Sequence, residues 1–165
     1  MQSLVSEMGA LPAGGSLADI MGQELYAEAE TLAAEINIPL QMLAGVEPWL
    51  AAITIEQLML QRIGFDPRFG IEAHMVGKAA TDQKEIVGLE ELEEQLGFLD
   101  GLSLPAQRAL LIQTLSEAAD IAPMMDGLIR AWRSGDVAYL EENMLEEMQA
   151  YPELYAAIVV ERNRR

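Results

Sequence analysis

Few side chains in this 165-residue sequence belong to the types that do chemistry at short spacing. There is one histidine, His74, and no cysteine. Without cysteine the sequence offers no disulfide, no thiolate ligand for zinc or an iron–sulfur cluster, and no thiol nucleophile. A metal-binding histidine on a helix wants a second imidazole or a carboxylate three or four positions away. Gly77 and Lys78 hold those positions after His74, and Glu72, two before it, falls on another face. His74 is therefore expected to be structural or solvated. No His-Glu-x-x-His pair, Gly-x-Ser-x-Gly elbow, Gly-x-Gly-x-x-Gly turn, Walker-type loop or calcium-binding loop occurs. Gly14-Gly15-Ser16 could hold an anion on backbone N–H groups, but reads better as a loop ending in a helix cap.

Two further groupings carry charge in a pattern. Glu90, Glu91, Glu93 and Glu94 could gather a cation, and read more simply as a solvated helix face. Arg162-Asn163 ends an apolar run and is either a polar recognition tip or a cation opposing a helix dipole, with the dipole reading favoured. The ten methionines fall mostly on apolar stripes and read as adaptable core filler.

The elements that must position these residues are helical. Hydrophobic residues make up 51% of the chain and mean hydropathy is +0.13, which excludes ordinary disorder. Ten Lys and Arg against 27 Asp and Glu give a net charge of −17. That balance argues against nucleic acid and against an anionic membrane surface. The first residues lack a basic region and an apolar run, and so do not read as a signal peptide. Pro48 to Ile55, the longest uncharged apolar stretch, falls far short of the roughly 20 residues of a membrane span.

Gly and Pro punctuate the helices. Gln2–Met8 stops at Gly9, and Ser16 caps a helix with Asp19 in the capping-box position and a break near Gly22. Pro48 opens the most apolar segment, which runs to Arg62-Ile63, ends at Gly64, and should be the central buried helix. A helix is expected over Ile71–Ala79, a lone short strand over Lys84–Gly88, and a helix over Leu89–Leu99 with Leu89, Leu92, Leu96 and Leu99 on one face. Ser103 caps the next helix, which carries Leu111 and Leu115. Pro123 opens one with Met124, Leu128, Ile129 and Trp132, Asp136 caps another bearing Leu140, Met144, Leu145 and Met148, and Pro152 starts the last. The fold expected is all-α: one irregular domain over 1–165 with seven to nine helices and at most one or two short strands.

Segments in this order also resemble the TraB/PrgY/GumN family, which includes bacterial relatives of the Tiki-type proteases. The resemblance rests on Leu11-Pro12-Ala13-Gly14-Gly15-Ser16-Leu17, Glu47-Pro48-Trp49-Leu50, Gly64-Phe65-Asp66-Pro67 with Gly70-Ile71-Glu72, and Val87-Gly88-Leu89-Glu90 with Glu94-Gln95. It continues through Ala131-Trp132-Arg133-Ser134-Gly135-Asp136, Tyr151-Pro152-Glu153-Leu154-Tyr155 and Glu161-Arg162-Asn163. The family's two Gly-x-x-His motifs, the source of its expected metal-dependent hydrolytic site, have no counterpart here: Gly70 precedes His74 by one residue too many, and Glu72 stands where an Asp is usual.

The resemblance implies the helical middle of a larger protein, shaping substrate access or acting as a scaffold, and inactive alone. Glu90, Arg162 and Asn163 are its candidate catalytic residues in a complete protein. Glu90 would bind metal or move a proton, and Arg162 would stabilise an oxyanion. Glu7 lies too close to Leu11-Pro12 to stand for the acidic residue of the family's early strand. No cofactor is expected in this chain, whereas a divalent metal is implied for the complete protein, which would be exported or membrane-associated. The partners expected are the missing flanking segments, including sheet neighbours for the lone strand, or a second copy of the chain. The alternative reading is a free-standing, acidic, self-associating interaction module.

Overall fold

The computed structural model describes residues 2–164, and all of their side chains except those of 2, 3 and 145–147. The α-helices are α1 Gln2–Met8, α2 Leu17–Met21, α3 Gln23–Glu35, α4 Pro48–Arg62, α5 Ile71–Thr81 and α6 Leu92–Asp100. They continue as α7 Leu104–Glu117, α8 Ile121–Ser134, α9 Val137–Glu141, α10 Glu147–Gln149 and α11 Pro152–Tyr155. Short 3₁₀ and π turns link several of them. The fold is all-α as expected; among the described residues the only β pairing is one antiparallel bridge between Ala10 and Val46.

Helix α4 is the axis, as its composition predicts. Pro48 sits in its first turn, where a missing N–H costs nothing. Trp49, Leu50, Ala51, Ala52, Ile55 and Met59 are all buried along it. Its main partner is α7, which contributes Leu111 and Leu115, and α3 packs on α7 with Ala29 and Ala33. The small residues on α3 let the helix backbones approach closely. A second cluster joins Trp49 and Leu50 to Leu96, with Val5 and Met8 of α1 against it.

Capping follows the sequence closely. The Ser16 hydroxyl accepts the Asp19 N–H at 3.1 Å and donates to the Asp19 carboxylate at 2.6 Å. Gly22 and Gly64 take positive φ at the predicted breaks. Gly135 ends α8 in the left-handed region, with the Asp136 N–H returning to the Ala131 carbonyl at 2.9 Å in a Schellman arrangement.

Three expectations need correction. Residues 84–88 have no regular secondary structure and join no ladder among the described residues, so the strand is not formed. The helix expected from Leu89 starts at Leu92, because Glu91 and Glu94 form a reciprocal capping box there. Leu89 is thus left outside the helix and fully exposed, while Leu92, Leu96 and Leu99 do share the buried face. The helix expected to open at Pro123 starts at Ile121; its buried positions are Ile121, Gly127 and Ala131, and Trp132 stands 74% exposed. The Tyr139 hydroxyl lies so close over Gly127 that a side chain there would collide with it, which makes the glycine a packing surface for α9. Leu145 lies outside the described side chains.

Residues 64–89 form an excursion from this body. Nearly every one is exposed, and α5 buries no side chain. Phe69, Ile71, Met75, Val76, Ile86, Val87 and Leu89 are between 52% and 100% exposed.

Candidate functional site

Glu90 and Arg162, 72 residues apart, come together. The capping box that starts α6 at Leu92 leaves Glu90 two residues ahead of the helix, at the edge of the Leu92–Leu96–Leu99 face. The chain end reaches it by continuing α11 as a π turn over Ala156–Glu161, which packs on α6, followed by a 3₁₀ turn over Arg162–Arg164. Arg162 Nε donates to both Glu90 carboxylate oxygens at 3.0 Å, and its terminal nitrogen adds a third bond. The two side chains are 35% and 22% exposed, so the pair is only partly hydrated. Hydrogen bonding to Glu90 raises the Arg162 pKa further above its ordinary value. The geometry is that of a guanidinium–carboxylate clamp, with a fixed cation and an ionised oxygen pair at one surface.

The third candidate does not join them. The Asn163 amide donates to the Val159 carbonyl of its own turn at 2.7 Å and is exposed. Glu7 is exposed on α1, and His74 is exposed on α5. Among the described residues, no three His, Cys, Asp or Glu side chains converge as metal ligands. The donors present around Glu90 and His74 therefore do not fit a divalent metal as a set. No helix among the described residues is long and apolar enough to cross a membrane.

Sequence reasoning missed how the scarce cations are used. Arg62 donates to the Asn37 carbonyl at 3.2 Å and also reaches the Ile36 carbonyl, fastening the end of α3 to α4. Arg108 of α7 reaches the Ile20 carbonyl at 2.7 Å, where the C-terminal end of α2 presents unsatisfied carbonyls. Both contacts join residues 25 or more apart, and no local pattern marks them. Glu153 was also missed. The Ser103 hydroxyl donates to its carboxylate at 2.6 Å and the Ser103 N–H adds another bond, tying α11 to the start of α7. Those bonds hold the Glu153 carboxyl below its ordinary pKa. The only advance signal was its place in Tyr151-Pro152-Glu153-Leu154-Tyr155.

Against known proteins, the sequence profile of the TraB/PrgY/gumN family matches residues 1–165. The chain is similar to the protein named "Uncharacterized protein YbaP" of Escherichia coli (strain K12), at 24% identity over 123 residues. The protein of the same name from Shigella flexneri matches to the same extent. In each case the match covers 74% of this chain and 46% of the relative, so the chain spans about half the length of the curated relatives it matches. No solved structure is significantly similar to the chain.

Proposed function

Since the chain belongs to the TraB/PrgY/gumN family, we propose that it is a helical substrate-access or scaffold part of a metal-dependent hydrolase, catalytically incomplete by itself. The observation that carries this reading is the unpacked α5 excursion. Isolated helices shorter than about 12–15 residues are marginal in water even for good formers, and α5 has 11. Here α5 carries Ile71, Met75 and Val76 into solvent, and residues 84–88, which include Ile86 and Val87, are exposed and join no ladder among the described residues. An exposed apolar helix followed by an exposed apolar segment suits packing against the rest of a larger protein. In that protein Glu90 and Arg162 offer a fixed carboxylate and a fixed cation to a site completed from elsewhere. Metal ligands would come from the rest of that protein, because among the described residues the donors do not assemble a set.

The test is hydrogen exchange on this chain and on a full-length relative. Exchange at residues 69–89 should be fast in the chain alone and slowed at the matching residues of the longer protein. Equal exchange in the two would end the reading. The same apolar face favours a second reading, self-association as an independent module. Sedimentation equilibrium distinguishes it: a concentration-dependent dimer abolished by Ile71→Glu and Val87→Glu would support the module over the accessory part.

A further inference from the structure

A separate cleft lies between α4, α7, α8 and the turns that follow α9. Its cavity is about 240 Å3. Met59, Met124, Met144 and Met148 all line it, four of the ten methionines in the chain, over buried Ile121 and Leu154. Glu56 and Glu117 stand on its rim. Among the described residues neither carboxylate has a cationic partner; Glu117 accepts only an amide hydrogen from Gln113 at 2.9 Å. Desolvation, and secondarily the Glu117 charge, push the Glu56 pKa up, as expected where two carboxylates share a wall with no cation between them. Unbranched methionine side chains repack around varied apolar shapes, which is why they recur in surfaces that take many ligands. The cavity is smaller than the roughly 300–1,000 Å3 of drug-sized pockets, and matches one large side chain better than a whole metabolite.

We propose that this cleft is a docking site for a basic, amphipathic peptide segment of a partner protein, one apolar side chain entering between the methionines while flanking Lys or Arg residues pair with Glu56 and Glu117. Charge complementarity selects this occupant. A second copy of the chain would bring net charge −17 against the acidic rim, and an uncharged apolar ligand would leave both carboxylates unrelieved. The site is independent of the reading of α5, whose residues do not line it.

The probe is a fluorescein-labelled 14-residue peptide with Lys and Leu/Phe at amphipathic helical spacing, titrated by anisotropy at about 0.15 M salt. A peptide of equal charge with every Leu and Phe replaced by Gly separates docking from general attraction to an acidic protein. The Glu56→Gln/Glu117→Gln variant should weaken binding about tenfold, the combined effect of two rim ion pairs. Glu24→Gln/Glu28→Gln, which removes the same charge from exposed positions of α3 outside the cleft, should change it less than about twofold. Met144→Lys, at a half-exposed position on the cleft wall, should abolish binding while the circular dichroism stays unchanged. The proposal fails if the Gly-substituted peptide binds equally well, if the two glutamine pairs weaken binding equally, or if the amphipathic peptide does not bind at all. Because the peptide comparison leaves the protein unaltered, a misfolded variant cannot disguise the result.

Discussion

The Glu90–Arg162 clamp allows a quantitative test. Two unit charges at about 4 Å attract by about 4 kcal/mol when the effective dielectric constant is about 20. Against this stand the partial desolvation of both groups and the ordering of a long arginine side chain, itself about 2 kcal/mol. With the side chains 35% and 22% exposed and Nε at 3.0 Å from both oxygens, the pair should retain about 1–2 kcal/mol. Freely exposed pairs give about 0.2–1 kcal/mol. The perturbations are Glu90→Gln and Arg162→Met, the latter keeping the apolar stem, with the double variant closing the cycle. Urea unfolding should give a coupling of about 1–2 kcal/mol, and each single variant should lower Tm by about 2–8 °C. Salt screens partly buried pairs much less than exposed ones, so at least about half the coupling should survive at 1 M salt. A coupling under about 0.3 kcal/mol, or one that vanishes in 1 M NaCl, would refute the clamp.

Glycine substitutions should have opposite signs according to what faces them. A Cβ on Gly9 would lie 2.8 Å from Leu50 Cβ and 3.0 Å from the buried Trp49 ring, neither of which can swing away. Gly9→Ala should therefore cost about 1–3 kcal/mol by calorimetry, whereas Gly97→Ala, in α6 with nothing within 4 Å, should stabilise by about 0.5–1 kcal/mol. Leu111→Ala, at a fully buried position of α7, should cost about 2–5 kcal/mol in chemical denaturation. The depressed Glu153 pKa makes stability pH-dependent: the contribution is present above the ordinary carboxylate range and is lost as pH falls through the lower folded value. Thermal melts of wild type should thus fall more steeply than those of Ser103→Ala on acidification below pH 5. Glu56 has the opposite sign, because its folded pKa is raised, so Glu56→Gln should raise Tm at pH 7 with the gain shrinking on acidification.

The helices were legible where their signals are local. Ser16, Pro48, Gly64, Ser103 and Asp136 mark starts and stops through groups within a few residues of themselves, and each acts as its type suggests. The Leu92 boundary was missed because the leucine spacing continues back to Leu89, whereas the Glu91–Glu94 box decides the matter. A short apolar run bounded by glycine suggested a strand at Lys84–Gly88, but a strand needs a neighbour, and periodicity cannot supply one. Pro123 reads as the start of the helix that carries Trp132, but α8 begins at Ile121 and packs through Gly127 and Ala131, which leaves Trp132 exposed. In the candidate site, the resemblance singled out Glu90 and Arg162 without indicating that they touch. Their pairing depends on how the chain end packs over α6, information spread across 72 residues.

The exposed excursion over residues 64–89 separates two demands on the sequence. Each doubling of a flexible connection costs the folded body only about 0.6 kcal/mol in closure entropy, so α4 and α7 can meet almost equally well whatever joins them. Substitutions in α5 would leave melting temperature nearly unchanged, and selection for thermal stability would scarcely constrain them. Sequence variation among relatives in that stretch should therefore track whatever lies against it, while variation along α4 and α7 should track packing volume. A saturation library scored for abundance on one hand and for assembly on the other would divide the chain at these boundaries, without knowledge of its chemistry.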